Sequence, residues 1–326
     1  MMSKFIIEEC LNFDQWNNFV DESNQGTIYS RNDFICAIFP NSKFFFVKNA
    51  HEVLGAVSLL IDSENNVVKK PSYFPYYNSI LFNPNRDSLT HKRIKLEFSI
   101  TELILSELVG EFKEFSCSQA PSFNDIRPFQ WYNFHNKSEG YFESSTSYTP
   151  VLNLKNIDLT TVVNNLRYDR RKEYKSEKSE LTVESSKDLG CLSELHQLTF
   201  ERQGITRLAS DVEIFNKIGT SCLERGHAEL LICRFEGIAI AANLFLFDNK
   251  RSYYQFGAQH AEYRKFPGAT KTMLKAIDNS IKRCLLEVDF VGANSPFRSD
   301  YKLSYNCDLK HHYLNNFVFG ENKKVQ

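Results

Sequence analysis

The chain has 326 residues, 42% of them hydrophobic and 24% charged, with 28 Phe and 15 Tyr; that is globular composition with apolar material for about two cores. A net charge of −1 gives no global basic field, so no DNA partner is expected, although a local basic cluster runs from Arg167 to Lys178. No apolar run approaches about 20 residues, and the acidic start from Met1 to Cys10 does not read as a signal peptide; a cytoplasmic protein is expected, able to work at the inner face of the membrane.

The first predicted element is an apolar strand over 43–48, followed by a polar turn and a second strand over 53–61, a hairpin signature. A Pro-punctuated aromatic loop follows at 71–84, with Tyr73, Phe74, Tyr76 and Tyr77. Ile94, Phe98, Thr101, Leu105 and Leu108 recur at helical spacing and predict a helix over about 91–109. A strand at 114–118 is stopped by Pro121. A connector follows, with a strand at 148–154, a polar helix at 159–178, and helices at 189–202 and 211–225, the last with Asp211 as N-cap. Strands are then predicted at 229–235, 238–247 and 251–256, the first two joined by the tight turn Glu236-Gly237. A helix over about 270–285 presents Met273, Leu274, Ile277, Ile281 and Leu285 on one face, and a strand at 286–291 closes the series.

The order strand, turn, strand, loop, helix, strand thus occurs twice, as an internal duplication would give. The expected class is α/β (α+β), two tandem domains of 1–155 and 156–326, each a mixed sheet flanked by helices. The eight cysteines show no CxxC spacing and read as reduced core thiols. No metal is expected: His311 and His312 alternate along a strand and face opposite ways, and His135 reads as a satisfied polar tip.

Chemistry concentrates in the second half. Lys265, Gly268, Ala269 and Thr270 stand between a strand and a helix. A glycine there lets backbone approach a ligand, and the free N–H groups of a helix start suit a phosphate. The segment is similar in part to the coenzyme A pyrophosphate loop of the GNAT acetyltransferases; a plain helix start behind Pro267 is the competing reading. The first half has no Gly-rich equivalent, so one active centre, in the second copy, is expected.

Four segments in order carry a wider resemblance. They are Tyr148 to Leu154 with Leu166 to Lys175, Ala242 to Ala258 with its Tyr253-Tyr254 pair and Gly257-Ala258, Val288-Asp289-Phe290-Val291-Gly292, and Phe297 to Tyr305 with Tyr301-Lys302. Over about residues 140–320 the chain resembles the FemAB-like peptidyltransferases. It departs from them at Asn153-Leu154, where an Asp-Leu pair is usual, and it has no long helical arm. The resemblance implies a tandem GNAT fold. It also implies transfer of an acyl group to an amine, with acyl-CoA as donor and an amino sugar or nucleotide-linked sugar of the cell envelope as acceptor. Aminoacyl-tRNA as donor to a peptidoglycan precursor, with peripheral contact to membrane-linked precursors, is the alternative, and a non-catalytic relic of the fold is a third.

The resemblance assigns Lys302 to oxyanion or leaving-group stabilisation. Tyr253 and Tyr254 alternate along a strand, so that one reaches a site while the other packs. The phenol, with Tyr254 the candidate, would protonate a leaving thiolate or bind an acceptor phosphate, and Asp289 would receive a proton or orient the acceptor; core packing and a structural hydrogen bond are the competing readings. Arg167, Arg171 and Lys175 line up at i, i+4 and i+8 for an anionic substrate or tRNA. Arg202 or Arg207 would clamp a phosphate. Tyr76 and Trp131 would form an aromatic acceptor wall. Solvated or simply packed surface is the alternative for each.

Overall fold

The period-two spacing of the first hairpin sorts its aromatic residues onto two faces. The structure, a computed structural model, describes residues 5–50, 52–68, 76–84, 89–176, 180–202, 204, 206 and 208–319, without the side chains of 296–298. Tyr73, Phe74, Lys178 and Arg207 lie outside the described residues. The chain divides into two compact units, Met1–Ser147 with His311–Gln326, and Tyr148–Lys310.

The first unit opens with β1 (Ile6–Glu9), α1 (Phe13–Glu22) and α2 (Asn32–Ile38), followed by β2 (Lys43–Asn49), β3 (Glu52–Leu59) and β4 (Leu81–Phe82). The four strands form an antiparallel sheet in the order β1-β2-β3-β4. Phe44 and Phe46 pack with Trp16, Phe19 and Val20 of α1. Phe45 and Val47 turn the other way, into a cluster with Ile100, Ile104, Leu105 and Leu108 of α3 (Thr90–Phe112). Trp16 is buried and donates its indole N–H to the Ser30 carbonyl at 2.9 Å. After α3 come β5 (Ser116–Ser118), α4 (Arg127–Trp131) and β6 (Tyr141–Asn153).

In the second unit α5 (Leu159–Asn165), α6 (Tyr168–Tyr174), β7 (Leu181–Ser186), α7 (Leu189–Arg202) and α8 (Ala209–Glu224) precede β8 (Ala228–Phe235), β9 (Ile238–Phe247) and β10 (Arg251–Gln259). Then α9 (Gly268–Lys282), β11 (Glu287–Asp289) and α10 (Pro296–Leu303) follow, and β12 (Asp308–Val318) ends the described chain. The strand order is β6-β11-β10-β9-β8-β7. Glu236 and Gly237 take φ of 50° and 80° between β8 and β9, the left-handed pair that a two-residue hairpin turn requires. Helix α9 crosses from β10 to β11 and makes them parallel. Its Met273, Leu274 and Ile277 enter one core with Leu231, Phe245, Val288 and Phe290.

Each unit therefore runs four antiparallel strands, a helix of 15 or more residues (α3, 23; α9, 15), and a strand whose antiparallel partner is distant in sequence. That partner is β12 for β5 and β6 for β11. The expected border at residue 155 is displaced: the division falls inside β6 and again inside β12, so the last strand returns to the first unit. The expected helix over 159–178 is two helices, because Leu166 is buried in the core at an extended φ/ψ of −61°/151°. Asp211 is a first-turn acid of α8, and the N-cap position belongs to Leu208. All eight cysteines are free, but Cys284 is exposed at φ 58° just past α9 and is no core thiol.

On β12, His311 is exposed and His312 is buried against the Tyr77 ring at 5.1 Å, with Nδ1 3.5 Å from the Ser118 hydroxyl. Burial, helped by the neighbouring His311, pushes the His312 imidazole down to about 4. It is neutral at pH 7, whereas an unfolded chain would titrate it near 6.5. Below about 6.5 the unfolded state takes up the extra proton, so stability falls as the pH falls toward about 4. In His312→Gln, denaturation midpoints measured from pH 7 to pH 4 are expected to fall less than in the parent; an identical slope would remove His312 as its source.

Candidate functional site

Lys302 lies in the last turn of α10, partly buried, and its ammonium donates to the carbonyls of Val291 at 2.6 Å and Gly292 at 2.7 Å. Both acceptors follow the end of β11 in the left-handed region, at φ 49° and 75°. For Gly292 that is ordinary; for a β-branched valine it is strained. The turn is wired from below by Asp289, a buried carboxylate. One of its oxygens accepts from the Thr149 hydroxyl and, at 2.8 Å, from the Val291 N–H. The Gly292 N–H donates in turn to the Thr149 hydroxyl oxygen at 3.3 Å.

Tyr253 and Tyr254 point to opposite faces of β10. Tyr253 is fully buried and donates to Asp248 at 2.7 Å, and burial pushes its phenol up. Tyr254 faces the site: its ring centroid is 5.7 Å from the Lys302 ammonium, close enough for a cation–π contact. Phe245 and Phe290 flank it at 5.4 and 6.3 Å. The pairing of β10 with β9 shifts register between Tyr254 and Phe256. Beyond this bulge, the space over Gly257 is occupied by Tyr254, whose hydroxyl would stand 1.9 Å from a Cβ at that position.

At the start of α9 no side chain caps the helix behind Pro267. Lys265 is exposed, its ammonium 5.3 Å from the Phe266 ring centroid. A Cβ at Gly268 would lie 3.0 Å from Ile240 and 3.2 Å from Ala241, so this glycine also lets α9 close on β9. Thr270 is buried, and its hydroxyl donates to Glu173 and accepts from Arg170 at 3.1 Å. The Ala269 carbonyl accepts from the Tyr301 hydroxyl at 3.3 Å, which lies 2.9 Å from that of Tyr305. The Arg170 guanidinium stands 5.4 Å over the Tyr301 ring, and its buried Nε meets no partner among the described residues. Burial pushes both phenols well up. Thr270 and the Ala269 carbonyl thus belong to a buried polar cluster, leaving the first-turn N–H groups and Lys265 as what this segment offers an anion.

Residues 161–303 match the model of an acetyltransferase (GNAT) domain family. The match covers most of the second unit, whose fold is that of a GNAT domain. Three solved structures extend the likeness to both units. FemX superposes with a TM-score of 0.71 at 14% identity, over 96% of this chain and 98% of that one. A conserved protein of unknown function from Bacteroides thetaiotaomicron VPI-5482 gives 0.61 at 9%, over 96% and 100%. A tandem GNAT protein from the clavulanic acid biosynthesis pathway gives 0.53 at 13%, over 96% and 98%. At such identities the likeness establishes the fold, which is a tandem GNAT arrangement. No protein with a curated description matches the chain in sequence.

Around the GNAT domain the expected binding residues separate. Arg167, Arg171 and Lys175 form no continuous stripe, since Arg167 precedes α6 and Lys175 follows it. Arg167 is engaged by Asp169 at 2.8 Å and Asp300 at 2.6 Å, which hold it charged. Arg171 donates to the Asn164 carbonyl at 2.9 Å, and Lys175 is exposed. Arg202 ends α7 on the surface. Tyr76 and Trp131 belong to the first unit. Tyr76 packs edge-on against Tyr29, while Trp131 is half exposed and packs with Phe98 under the Arg127 guanidinium. They contact different neighbours and form no shared wall among the described contacts. Thr149, and the grouping of Arg170 and Glu173 with Tyr301 and Tyr305, are not announced by the sequence. The four-residue spacing of the two tyrosines was the available signal for the latter. Among the described residues no group of three His, Cys, Asp or Glu is placed to hold a metal, and no helix is long and apolar enough to cross a membrane.

Proposed function

We propose that the protein is an N-acyltransferase that moves an acyl group from acyl-CoA to an amine of a cell-envelope sugar or its nucleotide-linked precursor. The observation that carries this reading is the Lys302 ammonium held over Tyr254 at the end of β11, within a GNAT domain. When an amine attacks a thioester, the carbonyl oxygen gains negative charge and a fixed ammonium stabilises it. The C–N bond forms, the C–S bond breaks, and one amine proton ends on the thiolate with the Tyr254 hydroxyl as relay. The uncapped start of α9 and Lys265 would hold the pyrophosphate. Arg171 and Lys175 would meet an anionic acceptor, including one on a membrane carrier reached from the cytoplasm.

A second reading replaces acyl-CoA by aminoacyl-tRNA, with a peptidoglycan precursor as acceptor. It is favoured by the resemblance to the FemAB-like enzymes and by the partial donor loop, in which Gly268 serves packing. Calorimetric titration with coenzyme A and acetyl-CoA separates the two. Micromolar binding is expected, weakened about tenfold in Lys265→Ala, as the loss of about 1.4 kcal/mol from one charge-assisted contact gives. Absence of binding, with transfer from a charged tRNA, would install the second reading. Gly268→Asp is a poor probe, since its Cβ would press on Ile240.

A further inference from the structure

A lysine in a catalytic role can exchange a proton or supply a fixed charge, and the surroundings of Lys302 distinguish the two. Its ammonium meets two carbonyl oxygens and lies over an aromatic ring. All three present negative potential and favour the charged form. The carbonyls converge because two successive residues are held left-handed, one of them a valine that resists this conformation. What holds them is the buried pair of Thr149 and Asp289: the carboxylate takes the Thr149 hydroxyl and the Val291 N–H, and Thr149 takes the Gly292 N–H.

We propose that Asp289 and Thr149 are positioning residues that act through the strained Val291-Gly292 turn to fix Lys302 as a stationary cation, so that Lys302 serves acyl transfer as a charge and not as a proton carrier. Asp289, expected from sequence to handle a proton or orient the acceptor, then does neither directly. The catalytic part of this inference rests on the acyltransferase reading; the positioning part does not.

The same oxygen of Asp289 accepts both bonds, so Asp289→Asn can preserve them while Asp289→Ala cannot. Protein labelled with 15N-lysine is expected to show one slowly exchanging ammonium resonance, identified by its loss in Lys302→Arg. That resonance should survive in Asp289→Asn and vanish in Asp289→Ala and in the near-isosteric Thr149→Val. Circular dichroism reports whether each variant is folded, and Thr149→Val decides alone if Asp289→Ala does not fold. Where a donor has been found, Thr149→Val should lower kcat by about tenfold to a hundredfold with the donor KM unchanged, the mark of a misplaced group. No slow resonance in the parent, or an unchanged one in folded Thr149→Val, would overturn the proposal. Failure to find any donor would remove the acyltransferase reading and leave the resonance result standing.

Discussion

Lys302→Ala is expected to lower the acyl-transfer rate by about a hundredfold to a thousandfold, the usual loss when one preorganised donor to a developing oxyanion is removed. Lys302 closes α10, where a cation is favoured by the helix dipole, and its reach is fixed by the Val291 and Gly292 carbonyls. Removing the ammonium leaves those carbonyls to water, which can reach a partly buried site, so the stability loss should be only about 1–2 kcal/mol. Lys302→Arg retains the charge, but a planar guanidinium cannot reproduce a point charge between two carbonyls. It should therefore recover little of the rate. Steady-state kinetics beside a thermal melt make the check: near-normal turnover in a folded Lys302→Ala protein would remove Lys302 from the mechanism.

The contact of Lys302 with Tyr254 joins two segments that each carry a recognisable neighbour pattern, and the hairpins and α9 were legible because apolar periodicity is local. What was not legible depends on long-range partners. Thr149 meets Asp289 across 140 positions, and nothing in the Tyr-Thr-Pro run announces this. The break between α5 and α6 was hidden because Leu159, Val162, Val163 and Leu166 recur at helical spacing and carry the apolar stripe straight up to it. It is fixed instead by the burial of Leu166 and by the Arg167 N–H donating to the Ser304 carbonyl at 3.0 Å. Asp211 was read as a cap because the residue type fits; the helix starts two residues earlier and uses the acid in its first turn. Gly268 shows the same ambiguity in reverse. A glycine before a helix signals close approach, and only the structure says that the approaching surface is β9.

Gly257 shows close approach of another kind. Gly257→Ala is expected to displace the Tyr254 ring, lowering stability by about 1–3 kcal/mol as overpacking does, and the transfer rate by about a hundredfold if the phenol serves as relay. An alanine Cβ would lie 1.9 Å from the Tyr254 hydroxyl and 2.5 Å from the ring carbon that bears it. Phe245 and Phe290 flank the ring and limit its escape. Gly257 is not among the residues at positive φ, so alanine is allowed by the backbone and any cost comes from the phenol. Tyr254→Ala tests this: with the ring gone, Gly257→Ala should cost nothing or stabilise slightly, because alanine loses less chain entropy than glycine on ordering. Urea denaturation of the parent, both single variants and the double variant should then give a coupling of about 1–3 kcal/mol. An equal cost in both backgrounds would place the strain elsewhere in β10, and Gly257 would no longer be the residue that makes room for Tyr254 beside Lys302.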